Sequence, residues 1–348
     1  MKKASILLSV VLILSLLLTA CGGGNAPKQE APKEDPKAAP KEEVKAAPIV
    51  LKFAHSQNEK HKYHLAHVKF KELLEQKSDG RYKIEIFPQT LGADRDLIEG
   101  LQLGTVDAAS INTSVIASIV PQLGAIDLPF LFKDRAHAYR VLDGAIGQEL
   151  SDLMKSKASI VPAGYWENGF RCFTNNKRPI KTPDDLKDLK MRVMEVAIYL
   201  DTFKQWGANA TPMAWPEVYP AMQQGVIDGH DNAADTVNAN KMWEVQKHFS
   251  DSQHLYSAVV LGFSPNFYNK LNDADKKMFM EVSAEVAKYE REIAAKMYDE
   301  GLVNLRKNMT VTEKDEIDFE AFKASVQPVW EKYYDVFGKD LIQKIANS

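Results

Sequence analysis

The sequence predicts an α/β protein of two lobes with a cleft between them. Three observations lead there. A strand, helix, strand, helix, strand pattern runs over residues 49–111, the pattern restarts after a helical pair over residues 134–157, and one helical stretch over residues 273–307 is too long for a single lobe. Residues 49–348 are enough chain for two cores.

The chain opens with features of export. Lys2 and Lys3 precede a mostly apolar run from Ile6 to Leu18 that ends at Leu18-Thr19-Ala20-Cys21. A charged start, an apolar core shorter than a bilayer span and a small-residue site before a cysteine predict a lipoprotein signal peptide over residues 1–20, with lipid on Cys21. Gly22 to Pro48 follows with five prolines among five lysines and five acids, and Val44 is its one large apolar residue. It cannot bury enough surface to offset ordering, so a disordered stalk is expected over residues 21–48. The protein should therefore work outside the cytoplasmic membrane.

Two apolar runs, Ile49 to Ala54 and Arg81 to Phe87, flank a stretch from His61 to Lys77 in which Leu65, Val68, Leu73 and Leu74 recur at helical spacing. Asp94 to Leu103 reads as a helix capped by Asp94 and ended near Gly104, and Val106 to Ile111 as a strand. Asn112-Thr113-Ser114 follow that strand, where ligands of open α/β sheets bind. They are candidates for a site or for a helix cap. Asp134 to Lys157 reads as a helical pair. Ile160 to Trp166 and Phe170 to Thr174 then read as strands, Pro183 to Leu186 as a short helix and Met191 to Met194 as a strand. Val196 to Trp206 and Glu217 to Gln223 read as helices, with Gly225 to Gly229 a short buried strand. The long helix carries Phe279, Val282, Val286, Tyr289, Ile293, Met297, Leu302 and Leu305 as its expected apolar stripe. At ~1.5 Å per residue it would measure roughly 50 Å and touch both lobes.

Composition and motifs exclude several classes. Losing Lys2 and Lys3 moves the formal charge from −3 to −5, and the folded part has no basic cluster for phosphate backbones, so nucleic acid is not an expected partner. With Cys21 acylated, Cys172 has no disulfide partner. There is no Walker A, Gly-x-Ser-x-Gly, Cys-x-x-Cys or His-Glu-x-x-His motif, and neither enzyme activity nor a cofactor is expected. His55, His61, His64 and His67 fall within thirteen residues and supply an alternative reading, a zinc-binding lipoprotein. Against it, spacings of three fan the last three around a helix.

Arg171 and Arg192 each interrupt an apolar strand. A buried cation needs a partner, either an internal carboxylate or a ligand's, and two such arginines on what read as neighbouring strands favour a ligand anion. The planar fork of arginine suits a carboxylate.

At these residues the chain resembles a known family. Gly169-Phe170-Arg171 through Thr174-Asn175, Arg178-Pro179-Ile180 with Pro183-Asp184-Asp185-Leu186, and Leu189-Lys190-Met191-Arg192-Val193 resemble the signature of DctP-type solute-binding proteins of TRAP (tripartite ATP-independent periplasmic) transporters. So do Thr211-Pro212-Met213, Glu217-Val218-Tyr219, Gln224-Gly225-Val226-Ile227-Asp228-Gly229 and Leu128-Pro129-Phe130-Leu131-Phe132. The resemblance covers essentially all of residues 49–348. It implies a two-lobed, periplasmic-binding-protein-like fold with an interlobe cleft, with 49–167 plus 258–297 as lobe I and 168–257 plus 298–348 as lobe II. It also implies capture of an organic acid, such as a dicarboxylate, keto acid or sugar acid. A monomer would deliver that acid to the small and large membrane subunits of an ion-driven permease.

By the same resemblance Arg192 makes the carboxylate salt bridge, Arg171 supports it, Asn232 lines the cleft and Trp215 covers the ligand. Asn112, Thr113 and Ser114 should read the rest of the acid from lobe I, and Glu167 and His55 complete the expected set. Two departures stand out. The family's usual Gln-Glu-Asn is His230-Asp231-Asn232 here, with Ala233 in place of an adjoining proline. Asn112 and Val115 replace the acid and arginine of sialic-acid binders, which argues against that ligand.

Overall fold

The computed structural model describes residues 47–348, so the signal peptide, Cys21 and nearly all of the stalk lie outside the described residues. The first lobe begins with β1 (Ile49–His55), α1 (Lys62–Lys77), β2 (Tyr82–Pro88), α2 (Asp94–Leu103), β3 (Ala108–Asn112) and the single turn α3 (Thr113–Ile116). Helices α4 (Arg135–Asp143) and α5 (Ala145–Ala158) follow, then the long strand β4 (Val161–Asn175). The second lobe contributes β5 (Lys190–Val193), α6 (Ala197–Gln205), β6 (Asn209–Pro212), α7 (Trp215–Gln223), β7 (Gly229–Asn232) and α8 (Ala234–Ala239). The chain then returns through β8 (His248–Phe263), α9 (Pro265–Tyr268), α10 (Asp273–Asn308) and β9 (Thr310–Thr312), and closes with α11 (Phe319–Ser325), α12 (Gln327–Tyr333) and α13 (Lys339–Ala346).

The strands form one mixed sheet in the order β2-β1-β3-β8-β4-β7-β5-β6, with β9 beside β8. Parallel trios stand at either end, and the antiparallel pair β4 and β8 joins them. One end of β8 pairs β3 and its other end pairs β9, while the last residues of β4 lie between β8 and β7 and pair both. These two strands belong to both lobes. The expected break between Trp166 and Phe170 is instead a register shift between Glu167 and Gly169, where the strand bends without ending. Gly169 has φ 98°, a left-handed conformation that glycine adopts without strain.

Helix α10 crosses the back of the sheet. At about 1.5 Å per residue its 36 residues span some 54 Å. Its first half buries Phe279, Val282 and Val286 in a core with Phe53, Phe70 and Trp166, and its second half buries Tyr298, Leu302 and Leu305 against Val218, Met222 and Phe249. Between them the buried stripe is Ala287, Glu290 and Ala294, and the expected Tyr289, Ile293 and Met297 are only half-buried. The phase differs because the middle of the helix packs on a polar waist. Glu290 accepts the Glu167 amide at 2.9 Å, and close by Lys62 of α1 is paired with Asp235 of α8.

Two further expectations change. The short strand is Gly229–Asn232, not Gly225 to Gly229; the preceding residues are a turn in which Val226 is exposed. Asp94 does not cap α2. Ala93 holds that position, and Asp96 returns to its amide at 2.7 Å.

Burial pushes the Glu290 carboxyl up to about 8, with Lys62 opposing and Glu167 adding to the rise, and its Oε1 has no hydrogen-bond partner among the described residues. A carboxyl whose folded pKa lies above its unfolded value near 4.5 costs stability progressively as pH rises from about 4.5 to about 8. Glu290→Gln should therefore melt above the wild type at pH 8, with the difference shrinking toward pH 5. Parallel melting temperatures across that range, read by calorimetry, would contradict this.

Candidate functional site

The parallel strands of both lobes point their carboxyl ends at one cleft. Asn112 ends β3 and Asn232 ends β7; Arg192 is the third residue of β5; Arg171 follows the bend in β4; and Trp215 opens α7. All five lie on the cleft wall, joined by Asp94, Gln57 and Asn168.

The two arginines are buried alike and compensated differently. Arg171 donates Nε to Asp231 Oδ2 at 2.6 Å and Nη2 to Oδ1 at 2.9 Å. Burial works against both charges, but each outweighs the penalty for the other, so the guanidinium is held above and the carboxyl below its ordinary range. This internal partner was not foreseen. Nor are the strands neighbours, since β7, which carries Asp231, runs between β4 and β5. Arg192 has no salt bridge among the described residues. Its Nε and Nη2 donate to the Met213 carbonyl at 2.9 and 2.7 Å, and its guanidinium carbon lies 5.8 Å from the Trp215 ring centre. Burial, helped by the nearby Arg171 charge, pushes it down to about 10. With its Nε edge occupied, the Nη1 end of the fork remains for an anion.

The other wall groups are polar. Asn232 Oδ1 accepts from Asn168 Nδ2 at 2.9 Å, and its own Nδ2 has no partner among the described residues. Asn112 donates its amide and Nδ2 to Asp94 Oδ2 at 3.0 and 2.7 Å. Burial raises the Asp94 pKa, against hydrogen bonds from Asn112 and Ser56 and the Arg192 charge. Sequence reasoning missed Asp94, because an acid opening a helix reads as a cap.

Four expected site residues lie off this wall. Thr113 Oγ1 donates to the Ala258 carbonyl at 3.1 Å, and Ser114 Oγ to Asp127 at 2.9 Å. Asn112 takes the cap position of α3 but makes no side-chain cap bond. Glu167 sits at the bend in β4, accepting from Arg135 Nε at 2.7 Å and Tyr139 Oη at 2.5 Å. His55 Nε2 is 3.1 Å from His64 Nδ1, and burial, with His64 adding to it, pushes its pKa down to about 3. The histidine cluster does not converge. His61 bonds Thr236 at 3.0 Å, His67 is wedged among Phe53, His55 and Trp166, and no group of three His, Cys, Asp or Glu among the described residues is arranged to hold a metal. Among the described residues nothing supports the zinc alternative.

A bilobal α/β scaffold with one polar cleft and a buried, unmatched guanidinium defines a solute-binding protein. The model of the bacterial extracellular solute-binding protein family 7, DctP, matches residues 53–336, and the chain belongs to that family, the solute receptors of TRAP transporters. It is 38% identical over 281 residues to a solute-binding protein of Verminephrobacter eiseniae, covering 80% of this chain and 83% of that one. A TRAP solute-binding protein of Polaromonas sp. JS666 bound to D-erythronate superposes with a TM-score of 0.83 at 36% identity, over 86% of this chain and 98% of that one. One from Shewanella oneidensis with bound succinate gives 0.82 at 31% identity, over 87% and 100%. The family is one of binding proteins, not enzymes.

The unequal arginines carry opposite expectations for stability. Asp231→Ala strands a buried cation and should cost about 3–5 kcal/mol in urea unfolding. Arg192→Met removes a cation that has no carboxylate partner and should cost under about 1 kcal/mol. Equal losses would contradict the assignment of an internal and a ligand-directed arginine.

Proposed function

We propose that this protein is the lipid-anchored, extracytoplasmic receptor of a TRAP transporter, capturing a small organic acid by its carboxylate and presenting it to the small and large membrane subunits. The observation that carries the reading is Arg192, a buried guanidinium in the cleft without a carboxylate of its own. An acid supplies the missing charge. Arg171, with Nη1 free of partners among the described residues, and Asn232 orient that acid, Trp215 covers it, and Asn112 meets it from the other lobe. The relatives' bound D-erythronate and succinate, both carboxylates, support this assignment.

Binding is a clamp. We place the hinge where residues 49–167 plus 258–297 meet 168–257 plus 298–348, at the bend of β4. Arg95 Nη2 donates to the Glu195 carbonyl at 3.1 Å, across from α2 to the segment after β5, a contact that closure of the cleft would keep. Closing on an acid removes water and strengthens the ion pair as the local dielectric falls. The permease can then tell loaded from empty receptor by shape. Attachment through Cys21 keeps the receptor at the membrane.

Arg192→Lys should raise the dissociation constant for D-erythronate and succinate at least tenfold in calorimetry, since lysine lacks the planar fork and a broken buried charge pair costs about 2–5 kcal/mol. Affinity within threefold of wild type would remove Arg192 from the site. Cys21→Ser should leave the membrane fraction on cell fractionation, and full retention of a correctly shortened variant would show that another element anchors it.

A further inference from the structure

The charges on the cleft wall narrow the ligand further. Five ionisable side chains stand there: Asp94, Arg95, Arg171, Arg192 and Glu195. Arg171 is matched by Asp231, and Arg95 lies 3.8 Å from Glu195, where both are partly exposed and screened by water. What remains without a salt bridge among the described residues is one buried cation, Arg192, and one buried acid, Asp94, which feel each other's charge.

Asp94 is held firmly. Ser56 Oγ donates to its Oδ1 at 2.7 Å, and Asn112 donates twice to its Oδ2. These three bonds use three of the roughly four acceptor positions of a carboxylate. One position is left for the cleft, along with a negative charge. We infer that Asp94 selects hydroxylated monocarboxylates: the ligand's carboxylate meets Arg192 while a hydroxyl on its carbon chain donates to Asp94. This rests on the organic-acid reading above and goes beyond it.

Two ligand classes are disfavoured by the same geometry. A dicarboxylate anchored on Arg192 brings its second charge into a cleft with no other unmatched cation among its wall residues and with Asp94 facing it; like charges brought together out of water repel strongly. It also leaves Asp94 without the donor its last acceptor position needs, and sites built to bond a hydroxyl reject analogues that lack one. An amino acid meets the charge of Asp94 but brings three ammonium donors to a single acceptor position. The free Nδ2 of Asn232 and the amide of Gln57 suit a chain bearing more than one hydroxyl.

The test is titration calorimetry of the purified protein and its Asp94→Asn variant with D-erythronate, galactonate, succinate and threonine. In the variant the amide oxygen can keep both bonds from Asn112 while the amide nitrogen donates to Ser56 Oγ, so the wall is preserved while the charge and the open acceptor position on Oδ1 are lost. Wild type should bind at least one of the two hydroxy acids ten or more times more tightly than succinate, and Asp94→Asn should narrow that ratio at least tenfold. Succinate bound as tightly as the hydroxy acids, threonine bound more tightly than they are, or a ratio unchanged in the variant would each overturn the inference while leaving an organic-acid receptor standing. The wild-type ratio decides the matter even if the variant fails to fold. Heat from none of the carboxylates would instead sink the organic-acid reading, and this inference with it.

Discussion

A guanidinium buried in this fold must find an anion or bear the cost of its burial, and the two arginines of the cleft meet that constraint in opposite ways. Arg171 finds Asp231 on the adjacent strand, in a pair sealed from solvent and approached by His254 Nε2 at 3.3 Å. Among the described residues Arg192 finds the Met213 carbonyl and the face of Trp215. Neutral partners hold the side chain in place without cancelling its charge. The first arrangement builds the floor of the cleft and the second leaves it electrostatically incomplete. In the proposed function an acid fills that incompleteness, the ligand contributing the charge the fold withholds.

The scaffold makes this arrangement work by letting β4 and β8 belong to both lobes. Arg171 and Glu167 sit on either side of the bend in β4, so the strand that carries one wall of the cleft also passes through the polar waist beneath α10. Lys62 and Asp235, on helices of different lobes, are paired there, and Lys62 also donates to the Asn168 carbonyl at 2.8 Å. Asn168 is in turn bonded to Asn232 on the cleft wall. The site and the waist are thus connected by a short chain of hydrogen bonds.

Much of this was legible in the sequence, for reasons that can be named. Helices α1, α2 and both ends of α10 form where apolar residues recur at helical spacing, although α1 buries Tyr63, Ala66, Phe70 and Leu74 and leaves the expected Leu65, Val68 and Leu73 half-buried, and Gly104 ends α2 with φ 76°, as a glycine past a helix should. Arg192 stood out because a cation in an apolar strand demands an explanation. What local pattern could not supply was pairing. Asp231 is sixty residues from Arg171, and nothing in either segment says that β7 runs between β4 and β5. The continuity of β4 was hidden by its bend, where Asn168 and Gly169 imitate a turn. The middle of α10 was misphased because Glu290 is buried against expectation. Asp94 was overlooked because its position at the start of a helix has an ordinary explanation, and only the tertiary fold turns it toward the cleft. Thr113 and Ser114 sit at the carboxyl end of a strand as site residues do, yet their hydroxyls are engaged by Ala258 and Asp127.

The central claim is that Arg192 supplies the charge for the ligand while Arg171 keeps its own partner. A crystal structure of the protein grown with D-erythronate tests it most directly. The account expects the ligand carboxylate against the Nη1 end of Arg192, with Arg171 and Asp231 still paired. A carboxylate bound away from Arg192, or one that displaces Asp231 from Arg171, would contradict it.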